Sequence, residues 1–298
     1  MKKLSDLTGL LSPSAAHRWL HCTAAPRLES TVEVDEETFK KNEESTLAHA
    51  YCARKLKKLL GQDTTEEDRV IRMLSGKYHT EEMDEYTALY ESFVLECLED
   101  ARRNCPDARL LVGVRLDLTE YIPEAFDTAD AVIVADGRME VIDFNYDLVE
   151  VKAWHNPQMQ IYALGALKLF AGDYGITNVR MTIYQLRSFT HSSWVLFAQT
   201  LYRWGFSELK PQALVAFDGE NATQEAGEWC RFCKVRPTCK AFAAWCTANP
   251  DASGVRWGEF DSRSDALCTH RRSERRVPRQ CEDYGQGWVP TKNKTPWK

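Results

Sequence analysis

The feature that most constrains the fold is an Asp-Gly dipeptide, Asp136-Gly137, set between two alternating apolar runs at 128–135 and 138–145. A two-residue type I′ turn needs positive φ at both central positions, and Asp-Gly supplies it with a twist that matches paired strands. The stretch reads as a β-hairpin of fixed register. Counting outward, Ala135 pairs with Arg138, Val134 with Met139, Val132 with Val141 and Asp130 with Asp143. Two aspartates then face each other at the end of an apolar face, where repulsion and desolvation both work against them. A divalent cation, Mg²⁺ or Mn²⁺, would relieve this, because hard cations take carboxylate oxygens and bind phosphate and water alongside. The plainer alternative is a solvated strand end with two unrelated acids.

Helical spacing predicts elements over 46–60, 81–104, 158–170 and 200–217, with a helix start at Ser12-Pro13-Ser14, where serine can cap and proline fits the first turn. In the second helix His49 falls on the inward side with Leu47, Tyr51, Leu56, Leu59 and Leu60. In the third, Met83, Tyr86, Tyr90, Phe93, Val94 and Cys97 form a stripe read as core. Strands are expected at 110–118, with Leu110, Val112, Val114, Leu116 and Leu118 on one apolar face, and at 179–186 and 194–198. The order of elements implies an α/β protein with one main domain over 1–250. Residues 251–298 hold four Ile, Leu or Val and carry 10 Lys and Arg against 7 Asp and Glu, the composition of a poorly packed or atypical tail.

The formal charge of −6 decides nothing about a nucleic-acid partner, since a local basic groove can exist on an acidic protein. No apolar run reaches the roughly 18 residues that span a bilayer, so no membrane partner and a cytoplasmic location are expected. Ten cysteines without an export signal favour metal ligation over disulfides for the closely spaced ones. Cys230, Cys233 and Cys239 form a C-x2-C-x5-C group that lacks a fourth ligand. Cys22 is the distant candidate and Cys246 the local one. Spacing alone leaves Zn²⁺ and iron-sulfur nearly tied. Cys52, Cys97 and Cys105 read as core or surface thiols, and Cys268 and Cys281 have no partner spacing.

The stretches LSPSAAHRWLHCTAAPRLE, STLAHAY, TADAVIVADGRMEVIDFNY, NPQMQIYALGAL and GEWCRFCKVRPTCKA resemble a phage-associated family of unknown function within the PD-(D/E)XK nucleases, close to RecB-type and CRISPR-associated exonucleases. The resemblance covers residues 10–245. It implies a mixed sheet flanked by helices, with His49, Asp130 and Asp143 as metal ligands and Gln158 and Tyr162 as a helix-borne motif beside them. It also implies a 4Fe-4S cluster held by Cys22, Cys230, Cys233 and Cys239, fastening the ends of the domain. DNA would be the substrate, with phage replication or recombination proteins as partners in a bacterial host.

Two departures touch the site. The pattern Asp-Phe-Lys-Tyr-Gly is replaced by Asp143-Phe144-Asn145-Tyr146-Asp147, and Ser45 stands where a glycine precedes threonine. An amide at Asn145 can orient water but cannot carry charge or exchange a proton near neutral pH. Lys152 is the candidate for a displaced lysine. The sequence therefore supports a metal-dependent nuclease of reduced rate, an inactive DNA-binding or assembly protein of the same fold, or a zinc-stabilised interaction module.

Overall fold

The computed structural model describes residues 9–33, 36–147, 149–185 and 190–249, so the tail with Cys268 and Cys281 lies outside the described residues. The chain begins with a 3-10 turn at Pro13–Ala15, then α1 (Ala16–Trp19) and α2 (Ala25–Glu29). Next come α3 (Glu36–Leu59), α4 (Thr65–Tyr78) and α5 (Glu81–Asn104), followed by β1 (Arg109–Asp117), β2 (Phe126–Ala135) and β3 (Arg138–Asn145). Helix α6 (Pro157–Tyr174) leads to β4 (Asn178–Gln185) and β5 (Thr190–Phe197). Then α7 (Ala198–Trp204) continues through a π-helical turn into α8 (Lys210–Asp218), and α9 (Lys240–Ala248) follows two short turns. Among the described residues no helix is long and apolar enough to cross a membrane.

The five strands form one mixed sheet in the order β1-β2-β3-β4-β5. Only β3 and β4 run parallel, joined by the crossover helix α6, while the other neighbours are antiparallel. The hairpin has the expected register, with Ala135 opposite Arg138, Val134 opposite Met139 and Val132 opposite Val141. Central strands buried on both faces read as nearly continuous apolar runs. Val132, Val134, Met139, Val141 and Met181 pack with α6, whereas Ala131, Ile133, Ile142 and Phe144 pack with α3 and α5 on the other side.

The first strand departs from its expected single face. Leu110 and Val112 join the α3/α5 layer, but Leu116 and Leu118, of the same parity, join the α6 layer. β2 switches with it, since Ala129 and Val132, three apart, share the α6 layer while Ala131 faces the other. The switch centres on Gly113, whose φ is +64°, opposite Asp130 in the register. Left-handed backbone in a strand rotates the alternation, and glycine carries it without a Cβ clash.

Other differences have local causes. Helix α3 starts at Glu36, ahead of the expected 46, because 36–45 lacks apolar periodicity but is rich in helix formers, with Glu36 and Glu37 at the positive end of the helix dipole. Helix α4 was not expected; Val70, Ile71 and Leu74 give it a narrow apolar stripe packed on the α3/α5 core. Helix α9 was also unexpected. Leu59, expected to be buried, is 57 % exposed. The β5 strand begins four residues early, its Thr190–Ser193 portion being polar because this is an edge strand.

Gly165 lets α6 approach the sheet closely. A Cβ there would meet Leu118 Cδ2 at 2.8 Å and Leu116 Cβ at 3.0 Å. The Gly165→Val variant should lose roughly 2–3 kcal/mol of stability through overpacking, read as a lower urea midpoint; an unchanged midpoint would show that α6 can retreat without cost.

Candidate acidic site and cysteine cavity

The face switch builds the site. The β1–β2 pairing skips Gly113 and Asp130, and the β2–β3 pairing ends at Ala131 and Ile142, one step before Asp130 and Asp143. With the ladder open on both sides, one oxygen of the Asp130 carboxylate accepts the backbone N–H of Phe144 at 2.8 Å. The gap is accessible from both helical layers. From α3, His49 places Nε2 3.6 Å from Asp130 Oδ2. Its Nδ1 lies 2.8 Å from the Ser45 carbonyl, which can only accept, so Nδ1 carries the hydrogen and Nε2 keeps a lone pair when the ring is neutral. Its side chain retains 35 % exposure, so the expected inward residue faces the cleft rather than the core.

From the opposite layer, α6 starts beside the acids. Asn156 caps it by accepting the Met159 N–H at 3.2 Å, and Pro157 occupies the first turn. Gln158 Nε2 then donates to Asp143 Oδ1 at 3.3 Å, and one turn on, the Tyr162 hydroxyl donates to Asp127 Oδ2 at 3.2 Å. His49, Asp127, Asp130, Asp143, Gln158 and Tyr162 all line one cleft of about 930 Å³. Asn145 lines it too, with its Oδ1 accepting the Asp147 N–H at 2.9 Å. Lys152 does not; it lies on the surface, 3.8 Å from Glu150.

Sequence reasoning missed Asp127. Three positions before Asp130, it belongs to the opposite face of a regular strand, and only the switch between them turns both toward the cleft. Burial, then the charge of Asp130, pushes Asp143 up to about 7, with His49 opposing. Burial also raises Asp130 and Asp127. For His49, burial disfavours the charged ring, but Asp130, the Ser45 carbonyl and Asp143 outweigh it and raise its pKa. As the side chains stand, no three His, Cys, Asp or Glu residues among those described are grouped closely enough to hold a metal ion.

Residues 9–249 match the model of DUF2800, a family of proteins of unknown function. The chain belongs to the DUF2800 family. The match spans both the acidic cleft and a second feature of this DUF2800 protein, where the two ends of the matched region meet.

There Cys22, Cys230, Cys233 and Cys239 line one small cavity with Arg18 and Phe242. Cys246 is buried behind it, against Phe242, and is not part of the lining. Burial raises the thiols of Cys22 and Cys230 and pushes Cys233 up to about 12. Polar bonds that sequence reasoning missed already hold these ends together. Glu29, 7 % exposed, accepts from Arg18 Nε at 2.9 Å and from the Lys234 N–H at 2.8 Å. Thr23 Oγ1 accepts the Thr223 N–H at 2.8 Å, and Arg27 donates to the carbonyls of Phe217 and Asp218. The only sequence signal was that Arg18, Thr23, Arg27 and Glu29 share a short polar-spaced segment with Cys22.

Because Asp143 binds its proton more tightly in the folded state, stability falls as pH rises from its ordinary 3.8 toward about 7. With EDTA present, melting temperature should decline between pH 5 and pH 8, and Asp143→Asn should flatten that decline. Equal slopes in the two proteins would remove Asp143 as its source.

Proposed function

We propose that this DUF2800 protein is a metal-dependent deoxyribonuclease with a PD-(D/E)XK-type site, acting on DNA ends. The observation that carries the reading is the opposed pair Asp130 and Asp143, held in a strand gap with His49 on one side and Gln158 on the other. Among the described residues, no cation other than a protonated His49 is bonded to either carboxylate. A fold that keeps two acids in such a position at a cost in stability is well matched to an external counter-charge.

The donor types suit Mg²⁺ or Mn²⁺: carboxylate oxygens of Asp130 and Asp143 with His49 Nε2 would hold the ion once the side chains close from their present spacing. When bound, such an ion polarises a phosphate and lowers the pKa of an associated water. The chain's own tasks are then orientation and exclusion. Phe144 N–H fixes one oxygen of Asp130, the Ser45 carbonyl sets the His49 tautomer, and Gln158 steers Asp143. Tyr162 restrains Asp127 at the edge of the cleft. Asn145 can orient water but cannot take its proton, so the rate is reduced at the chemical step. The preference for DNA, and a place in phage replication or recombination, rest on the resemblance of the five sequence stretches.

The four cysteines would supply a thiolate-bound centre, a 4Fe-4S cluster or Zn²⁺, once drawn closer than they now stand, because all four line one small cavity and come from both ends of the domain. Its role would be structural, added to the polar bonds of Glu29, Thr23 and Arg27. Protein purified without oxygen should be brown, with broad absorbance near ~400 nm; a colourless protein with one zinc per chain would assign the cavity to Zn²⁺ instead.

A second reading, a DNA-binding or assembly protein without hydrolysis, is favoured by Asn145. End-labelled single- and double-stranded DNA incubated with the protein and Mn²⁺ separates the two. Cleavage that disappears in Asp130→Ala, and rises at least about tenfold in Asn145→Lys, is the expected result. DNA binding without cleavage in protein that retains its centre, unchanged by Asn145→Lys, would establish the second reading.

A further inference from the structure

The segment 230–240, which carries three of the four cavity cysteines, is basic on an acidic chain. It holds Arg231, Lys234, Arg236 and Lys240 and no Asp or Glu, whereas the whole protein has a formal charge of −6. Between its first two cysteines stands Phe232, whose ring is not core. It is 59 % exposed and belongs to no apolar cluster among the described residues, unlike Trp229, Phe242 and Trp245 nearby. The ring therefore has no packing role in the joint between the chain ends.

Its position gives it another. Phe232 lines the acidic cleft together with Arg18. Glu29 ties the two segments to each other, accepting from Arg18 Nε and from the N–H of Lys234, two residues past Phe232. Helices α3 and α4 and strands β2 and β3 all bring carboxylates to the cleft lining, Glu44, Glu66, Asp130 and Asp143 among them, whereas the clasp brings Arg18 and Phe232. A polyanion is repelled along those four elements and admitted along the clasp. Glu29 engages only Nε of Arg18, which leaves both Nη groups of the fork for an acceptor. Arg231 lies over the Phe232 ring, with Cζ 5.3 Å from its centroid. An exposed ring flanked by guanidinium groups suits a nucleotide, because any unpaired base can stack on the ring while the adjoining phosphates take the charge.

We propose that Phe232 is a base-stacking residue at the edge of the acidic cleft, holding an unpaired nucleotide of a DNA strand with its flanking phosphates toward Arg231 and Arg18. This rests on the reading of the cleft as a DNA site, and it gives the cysteine-bearing turn a binding surface besides its role in joining the chain ends.

The test is fluorescence anisotropy with the full chain, in EDTA so that no strand is cut, using a labelled short oligothymidylate and a labelled abasic strand of the same length and charge. Phe232→Ala should melt at the wild-type temperature, bind oligothymidylate about tenfold more weakly and bind the abasic strand as wild type does. Phe232→Trp should keep the wild-type affinity for both. Arg231→Gln should weaken both probes alike and reduce the slope of log affinity against log salt by about 0.7. Unchanged oligothymidylate affinity in Phe232→Ala, or a loss shared equally by the abasic strand, overturns the stacking role. A Phe232→Ala protein that melts several degrees lower overturns it too, because the ring would then be structural. So does a wild type that binds neither probe, or binds the two equally. None of these outcomes decides the nuclease reading, which stands or falls on Mn²⁺-dependent cleavage by the wild type against Asp130→Ala.

Discussion

The site depends on one backbone irregularity, the change of face where Gly113 lies opposite Asp130. A regular strand pair would commit Asp130 to one helical layer and occupy its backbone in the ladder. With φ at +64° on Gly113, both strands rotate, pairing is interrupted, and the Asp130 carboxylate becomes the partner of the Phe144 N–H. Side chains from α3 and α6, on opposite sides of the sheet, thus converge on the same acids. Bulges and kinks of this type commonly re-aim side chains at functional positions. Here the irregularity also exposes the end of the hairpin, where the two aspartates come to face each other.

The electrostatics follow from that convergence. Asp127, Asp130 and Asp143 meet in the cleft, and burial shifts each toward its protonated form. Relief comes from neutral donors, Gln158, Tyr162 and the Phe144 N–H, and from His49 when it is charged. The first turn of α6 adds the partial positive charge of a helix N-terminus near Asp143. These groups lower the repulsion without cancelling it. Asn145 lines the cleft without a charge to offset the acids, and Asp127 makes the balance more negative.

The junction of the two ends shows how a weakly packed region is secured. Its apolar cluster is small, built on Cys230, Phe242 and Cys246, and cannot contribute much burial energy. Glu29 links Arg18 to the Lys234 backbone, and Thr23 and Arg27 reach across to 217–223. Each is a hydrogen bond between segments distant in sequence, with Glu29 charge-assisted and nearly buried. The cysteines come together within this polar frame, so the cavity does not depend on them alone.

Much was legible in the sequence wherever the determining interactions are local. The Asp-Gly turn has only one comfortable geometry, so it set the hairpin register and hence the facing of Asp130 and Asp143. Helical spacing likewise placed Gln158 and Tyr162 one turn apart on α6, and His49 on a helix with Leu47 and Leu56. The resemblance to nuclease motifs chose Cys22 over Cys246, where spacing left both open. What the sequence could not determine involves contacts between distant segments. Strict alternation assigned β1 a single face and put Asp127 away from Asp130, because a one-residue change of backbone conformation at Gly113 reverses the side of every later residue. Tyr90 read as core, and its ring is core, packed against Phe144 where α5 docks on β3. The bonds of Glu29, Thr23 and Arg27 span about 200 residues, and no local pattern encodes their partners. The sequence thus determined the turn, the periodicities and the chemical types at the site, while the tertiary structure decided which of them meet, because packing of distant elements fixes distances that chain-local propensities leave free.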